Sequence, residues 1–512
     1  MQTPAKLAKF MKKSGHLSLL RSLAAIPAGI GVITLTTAML LSLPLSGMAQ
    51  SRLPSLGDRI SGFVSMEDEY KMGREFLRSI RRSTPTISDP LLNNYLENLT
   101  YRLASKSELQ DHRLAFVVID SENLNAFAAP GGIIGVNTGL FLNAETEAEF
   151  ASVLAHEIAH VSQRHFARSV EEAQRSRIPQ IATLLASVMI MASGNAEHGQ
   201  AAIMAAQGQA VENRLRFSRS NEAEADRVGI RTLYEAGLDP HAMPALFERL
   251  ASMRRYGSRP PEFLLSHPVT ESRISDSRGR ASRYPRGEYE DSLEYLIMRA
   301  RTRTHYATNK KTIIAEYQRA LQASESEVQR DGNRYGVAMA YWEDEQYGQA
   351  AEALAPLLEK EPNRISYVVT QSEILTAQNE PQLALQFLER HRTINPGNHP
   401  LIMAYADALV ESRQYTDAVN LLKQHVIRRP DDYHLWYLLA EYQGLAGDIS
   451  GVHQARAEYF VLTGNFTNAR DQLQYALRIE TENAAPDSST PLVAALRQRI
   501  REVEELQQQA TG

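Results

Sequence analysis

Two architectures in one chain are predicted by this sequence: an α+β domain organised around a metal-binding helix, then an all-α superhelix of helical pairs. Three observations lead there. The segment Ser152 to Val161 reads S-V-L-A-H-E-I-A-H-V, with His156 and His160 four residues apart and no Gly or Pro nearby. Downstream, N-E-A-E-A-D (Asn221 to Asp226) sets Glu222 and Asp226 at the same spacing. In the second half, Pro362, Pro396 and Pro430 recur at intervals of 34 residues.

On a helix, positions i and i+4 share one face, so His156 and His160 can direct two imidazoles at one point. Zinc takes neutral imidazole nitrogen, and two such ligands make half of a tetrahedral site. Glu157 stands one step round the helix, where its carboxylate can act as general base towards a water. An amphipathic helix whose two histidines coincide by chance is the plain alternative. A catalytic zinc also needs a third protein ligand and one open position. Glu222 can complete the set from a second helix, and Asp226 can hydrogen-bond the free ring nitrogen of a ligating histidine. Glu224 points to another face of that helix, and an exposed charged helix is again the plain alternative.

With these residues in view, the sequence resembles the metallopeptidases that include HtpX and the CAAX prenyl endopeptidases. His156-Glu157-x-x-His160 followed by N-E-x-E-A-D is similar to that family's metal motifs. Asn125 to Leu140, N-A-F-A-A-P-G-G-I-I-G-V-N-T-G-L, resembles its N-A-F-A-x-P-G-G segment. Leu265-Ser266-His267-Pro268 with Glu271-Ser272-Arg273-Ile274 resembles its S-T-H-P…R-I stretch. The resemblance implies an α+β zinc metallopeptidase domain with an HExxH active-site helix and a small sheet with an edge strand. It implies one Zn²⁺ per chain on His156, His160 and Glu222, with Glu157 as catalytic base. For Asp226 it leaves a proton-donor role beside the orienting one.

The 512 residues leave room for two or three domains, and 43% hydrophobic with 22% charged residues is ordinary for a folded protein. Formal charge is −5. Residues 1–49 hold five basic and no acidic side chains, so the remainder carries 50 basic against 60 acidic residues, which argues against nucleic acid as a partner. No cysteine is present, which excludes disulfides and thiolate zinc ligands.

In chain order, Lys6 to Arg21 form a basic region and Leu23 to Leu45 an apolar one. Gly47-Met48-Ala49 then offers the small residues of a signal-peptidase site. Residues 1–49 read as an export signal peptide, with an uncleaved membrane anchor as the alternative. Export in a bacterium means the periplasm. Met66 to Ser83 and Asp89 to Ser105 read as helices, the second with Asp89 as N-cap and Pro90 at the first helical position. Leu114 to Ile119 reads as a buried strand. Asn125 to Val136 reads as a hairpin turning at Pro130-Gly131-Gly132, whose edge could pair with an extended substrate. Asn125, at its head, is a candidate substrate contact.

Between the metal segments, Ile181 to Ala192 is strongly apolar but too short to cross a membrane. A packed helical hairpin is one reading, and a surface that meets the membrane, in peripheral association, or a membrane-protein partner is the other. His267 follows a loop rich in Arg, Gly and Pro. It either caps a turn or fills the open zinc position as a regulatory fourth ligand. Arg273 is a candidate contact for the anionic transition state.

From about residue 310 helix follows helix. Ala350, Ala384 and Ala418 keep the 34-residue period of the prolines, as do Leu354, Leu388 and Leu422. Small residues at fixed helix contacts with that period mark tetratricopeptide repeats. A further pair in shifted register follows around Ala457 to Ala469, and Ser489 to Gln508 reads as a terminal helix. The expected divisions are a peptidase domain at 50–275, a helical connector at 276–309, repeats at 310–480 and a tail helix at 481–512. Nothing in the repeat half carries catalytic chemistry; its concave face would bind protein. Peptidase and repeats together resemble exported family members that serve outer-membrane protein assembly in Gram-negative bacteria. The resemblance implies misassembled β-barrel proteins and their assembly machinery as partners. A non-proteolytic chaperone or scaffold with a structural or latent zinc site is the rival expectation.

Overall fold

The computed structural model describes residues 64–175, 208–256, 262–287, 289–483 and 490–511. The expected export segment (1–49), the apolar stretch 181–192 and part of the loop before His267 (257–261) lie outside them. Among the described residues, no helix is long and apolar enough to cross a membrane.

The first half opens with α1 (Met66–Ser83) and α2 (Pro90–Ala104). Asp89 caps α2 by accepting from the Leu91 and Leu92 amides, with Pro90 next in line, as the sequence suggests. Strands β1 (Ala115–Ile119), β2 (Ala126–Ala129) and β3 (Ile133–Asn137) form one sheet in the order β1-β3-β2. β3 pairs parallel with β1 and antiparallel with β2, which puts β2 at an edge. A short α3 (Thr138–Asn143) leads into α4 (Glu147–Ser162), whose N-cap Thr146 accepts from the Glu149 amide.

Every residue of α4 from Glu149 to Ala159 is buried. A helix apolar all round belongs inside a protein, and α4 is packed on by α2, by β2 and by the next helices. These are α5 (His165–Arg175), α6 (Gly208–Glu235) and α7 (Ala242–Tyr256), followed by the single turn α8 (Phe263–Ser266) and α9 (Glu271–Ala281). Gly229 decides how near α6 comes to α4. A Cβ there would meet the His156 backbone nitrogen at 3.2 Å and Met243 Cε at 2.9 Å. The missing side chain therefore brings Glu222 and Asp226 within reach of the α4 histidines.

Helix α10 (Leu293–Tyr306), inside the segment expected as a connector, serves both halves. Its Tyr295 is fully buried among Tyr95, Phe141 and Phe150, and the hydroxyl donates to the Ala144 carbonyl at 2.8 Å. On its other side α10 packs against α12 (Glu327–Glu343), which follows α11 (Lys310–Gln322).

Helical pairs then stack in order: α12 with α13 (Tyr347–Lys360), α14 (Ile365–Ala377) with α15 (Pro381–Ile394), α16 (His399–Glu411) with α17 (Tyr415–Val426), and α18 (Tyr433–Ala446) with the helix that follows it. α19 (Ile449–Leu462), α20 (Phe466–Asn483) and the terminal α21 (Pro491–Thr511) complete the chain. Ala350, Ala384 and Ala418 are fully buried, as are Leu354, Leu388 and Leu422. The alanines let neighbouring helices close up, and each leucine contributes roughly 2–3 kcal/mol of buried apolar surface. Pro362, Pro396 and Pro430 sit in the turns between pairs, where a helix must stop.

The superhelix folds back on the peptidase half. Arg429 pairs with Glu97 at 2.9 Å, Arg81 donates to the Asp431 carbonyl at 3.0 Å, and the hydroxyls of Thr86 and Tyr433 meet at 2.5 Å.

Candidate metal centre

Four side chains converge from three elements: His156 and His160 of α4, Glu222 of α6, and His267 just after α8. The i, i+4 spacing does what helical geometry requires, aiming both imidazoles the same way. His156 Nε2 lies 3.0 Å from His160 Nε2, 3.4 Å from Glu222 Oε2 and 3.3 Å from His267 Nδ1. His160 Nε2 lies 3.4 Å from Glu222 Oε1, and His267 Nδ1 lies 3.0 Å from Glu222 Oε2. Four donors held tetrahedrally around zinc at about 2.0–2.1 Å stand about 3.3 Å from one another. The observed separations bracket that edge.

Charge points the same way. Glu157, Glu222 and Asp226 are three buried carboxylates, and among the described residues Arg273 is the buried guanidinium beside them. With the histidines neutral, as metal ligation requires, a dication balances the two negative charges that remain, which burial would otherwise make costly. Burial opposes charge on His156, yet contacts with Asp226 and Glu222 outweigh it and raise the ring to about 10. Burial would likewise raise Glu222, but the surrounding histidines, His267 first, hold it well below the carboxylate range. His160 is pushed far down by burial. The donor set and the charge both fit a zinc ion.

Around these donors the remaining residues take distinct places. Glu157 is buried where α4 packs on β2, with the Ala128 backbone beside its carboxylate, and burial raises its pKa. Asp226 Oδ1 approaches His156 Nδ1 at 3.0 Å, a close contact short of ideal hydrogen-bond geometry. Arg273 has all three nitrogens engaged. Nε and Nη2 donate to Asp226 at 2.8 and 2.7 Å, and Nη1 lies 3.0 Å from the Pro268 carbonyl and 2.9 Å from Glu222. Arg273 thus holds two carboxylates and a backbone carbonyl. Asn125 is buried at the head of β2 with its Oδ1 unpartnered, outside the donor cluster. Glu224 faces away from the donors, towards His165, Arg168 and Arg227.

His165 is the neighbour that spacing alone does not reveal. Its Nδ1 lies 2.8 Å from His160 Nδ1 and its Nε2 lies 3.3 Å from Glu224 Oε2. Only the break after α4 turns it back, with Arg164 at φ 51° between the two helices. The sequence shows only a histidine five residues past His160, a separation that by itself does not place it on that helix face.

Residues 90–281 match the model of peptidase family M48, and residues 375–442 match a tetratricopeptide repeat model. A β-barrel assembly-enhancing protease of Escherichia coli strain K12 is 34% identical over 448 residues, covering 87% of this chain and 91% of that one. A protein of the same name from Yersinia pestis is 32% identical over 484 residues, covering 92% and 99%. The mitochondrial metalloendopeptidase OMA1 of Schizosaccharomyces pombe is 29% identical over 216 residues, covering 41% of this chain and 60% of that protein. With the resemblance extending over nearly its whole length, the chain belongs to peptidase family M48, a zinc metalloendopeptidase joined to tetratricopeptide repeats.

Proposed function

We propose that this metalloendopeptidase works in the periplasm, in assembly and quality control of outer-membrane β-barrel proteins, and cleaves those that misassemble. The observation that carries the catalytic part is the buried Glu157 beside a four-donor set. The names of the relatives support the client class, and the basic and then apolar residues 6–45 support export. The repeats supply a surface for the client or for the assembly machinery.

In this reading His156, His160 and Glu222 hold zinc, which supplies Lewis acidity to the scissile carbonyl and to a water beside it. Glu157 takes the attacking water's proton and passes it to the leaving amine; its raised pKa suits both transfers. Asp226 holds His156 in one orientation, and Arg273 holds Asp226 and Glu222. The edge of β2 runs beside Glu157 and can pair with an extended substrate. Glu157→Gln should keep zinc and lose proteolysis of an unfolded protein by about 10²-fold or more. Wild-type cleavage rates in a variant with equal zinc content would overturn this.

A latent form of the same enzyme is favoured by His267. Its Nδ1 sits at the fourth donor position, and its Nε2 lies 3.4 Å from Glu157 Oε1. One ring therefore stands where a substrate carbonyl and its water would have to enter. His267→Ala should raise proteolysis while zinc stays on the other three ligands. Unchanged or lower activity in a folded variant would favour a capping or substrate-contact role. It would also leave the rival reading, a scaffold with a structural zinc, in place.

A further inference from the structure

His160 as a zinc ligand has a definite place for its proton. A neutral imidazole that coordinates through Nε2 carries its hydrogen on Nδ1. The atom facing His160 Nδ1, at 2.8 Å, is His165 Nδ1. Two ring nitrogens at that distance need one proton between them, so His165 Nδ1 is the acceptor. The proton of a neutral His165 is then on Nε2, where Glu224 Oε2 lies 3.3 Å away to receive it. Glu224 is in turn fastened by Arg168 at 2.7 Å and Arg227 at 3.2 Å. Every proton in the chain has one place, and no donor faces a donor.

We infer that His165 is a positioning residue: with Glu224 it fixes the tautomer and ring orientation of His160 and so sets the affinity for zinc. This role rests on the proposed ligation of zinc by His160. The local fold is arranged for it. The helix stops after Ser162, and Arg164 adopts a left-handed φ of 51°, uncommon for a residue other than glycine. Its guanidinium is held by Glu69 at 2.7 Å and by the Val64 carbonyl at 2.6 Å. The turn brings His165 back over His160, buried, with ring centroids 4.8 Å apart. Groups that orient metal-bound histidines in this way typically change metal affinity about 10–100-fold when lost.

The test is zinc affinity of the full-length protein, measured by competition with a chromophoric chelator and independent of proteolysis. His165→Leu removes the acceptor and should weaken zinc binding about 10–100-fold. His165→Asn places a carbonyl oxygen where Nδ1 was and should recover most of that loss. Glu224→Ala leaves His165 present but free to take either tautomer, and should give a smaller loss. It also stands in for His165→Leu if that variant does not fold. A merely structural His165 would lower the melting temperature of the metal-free protein in all three variants without ranking their zinc affinities in this order. Zinc affinity unchanged in folded His165→Leu, or unchanged in Glu224→Ala, overturns the inference. His160→Ala is the control that separates the two claims. If it binds zinc as wild type does, the ligand assignment falls; if it loses zinc while His165→Leu keeps it, only the role of His165 falls.

Discussion

Arg273 shows how much of the centre depends on a residue outside the four-donor cluster. Its fork spans Asp226 and reaches Glu222, and burial, which would favour its discharge, is outweighed by those two carboxylates. Arg273→Ala would leave both carboxylates buried without their cation, at a cost of about 3–5 kcal/mol. Zinc would relieve part of that cost by restoring positive charge nearby. The melting temperature of the variant should therefore fall more in metal-free protein than in zinc-loaded protein, and equal losses would contradict this account. Such a clamp marks the limit of reading residues from a sequence. His156, His160 and the pair Glu222–Asp226 were legible because each spacing is local to one helix and helical geometry is the same everywhere. Arg273 on Asp226, and His165 on His160, depend on how α4, α5, α6 and α9 meet. No spacing within one element encodes that meeting.

At the scale of elements, the strongest pattern is the 34-residue period, legible because tight helix contacts admit only small side chains at fixed places. A second periodic feature was not legible. Glu345, Asn379, Arg413 and Gly447 are spaced by 34 and all adopt positive φ, at 63°, 63°, 60° and 79°. They end the first helix of each pair with a left-handed residue, a conformation in which glycine is cheapest. Three of the four are other residues, so composition hides the position; packing between the helices imposes it. Gly447 has open space around it, with nothing within 4 Å of an added Cβ. Gly447→Ala should then show the backbone cost alone, about 1–2 kcal/mol, read as a lower denaturation midpoint with an unchanged fold. No change would mean that the turn relaxes. The hairpin of β2 and β3 was legible from Pro130-Gly131-Gly132, and β1 from the apolar run Leu114 to Ile119, whereas the parallel pairing of β1 with β3 was not, because a crossover leaves no local trace.

For the whole molecule, the question is what makes a peptidase and a superhelix one body. The sequence divides them near residue 310, yet α10 belongs to both, and its Arg301 lies at the junction. Arg301 is largely enclosed, its side chain 9% exposed, pairing with Asp89 at 2.7 Å and with Glu373 at 3.0 Å, and it donates to the Tyr335 hydroxyl at 3.0 Å. Asp89 is also the cap of α2 in the peptidase half, while Glu373 and Tyr335 stand on repeat helices α14 and α12. One guanidinium thus ties a helix start to two repeats. Burial raises the Glu373 carboxyl, and Arg301 is what pulls it back. Arg301→Leu would leave two carboxylates without their cation and should cost about 3 kcal/mol. Adding Glu373→Gln should return part of it, since a neutral amide there needs no partner charge. Because the lost contacts lie between the halves, the variant should also lose cooperativity. Calorimetry would then show the peptidase and the repeats melting in separate steps where the wild-type chain melts in one. A single transition at the wild-type temperature in Arg301→Leu would mean that the halves are held together elsewhere, with the Arg429–Glu97 pair the next to remove.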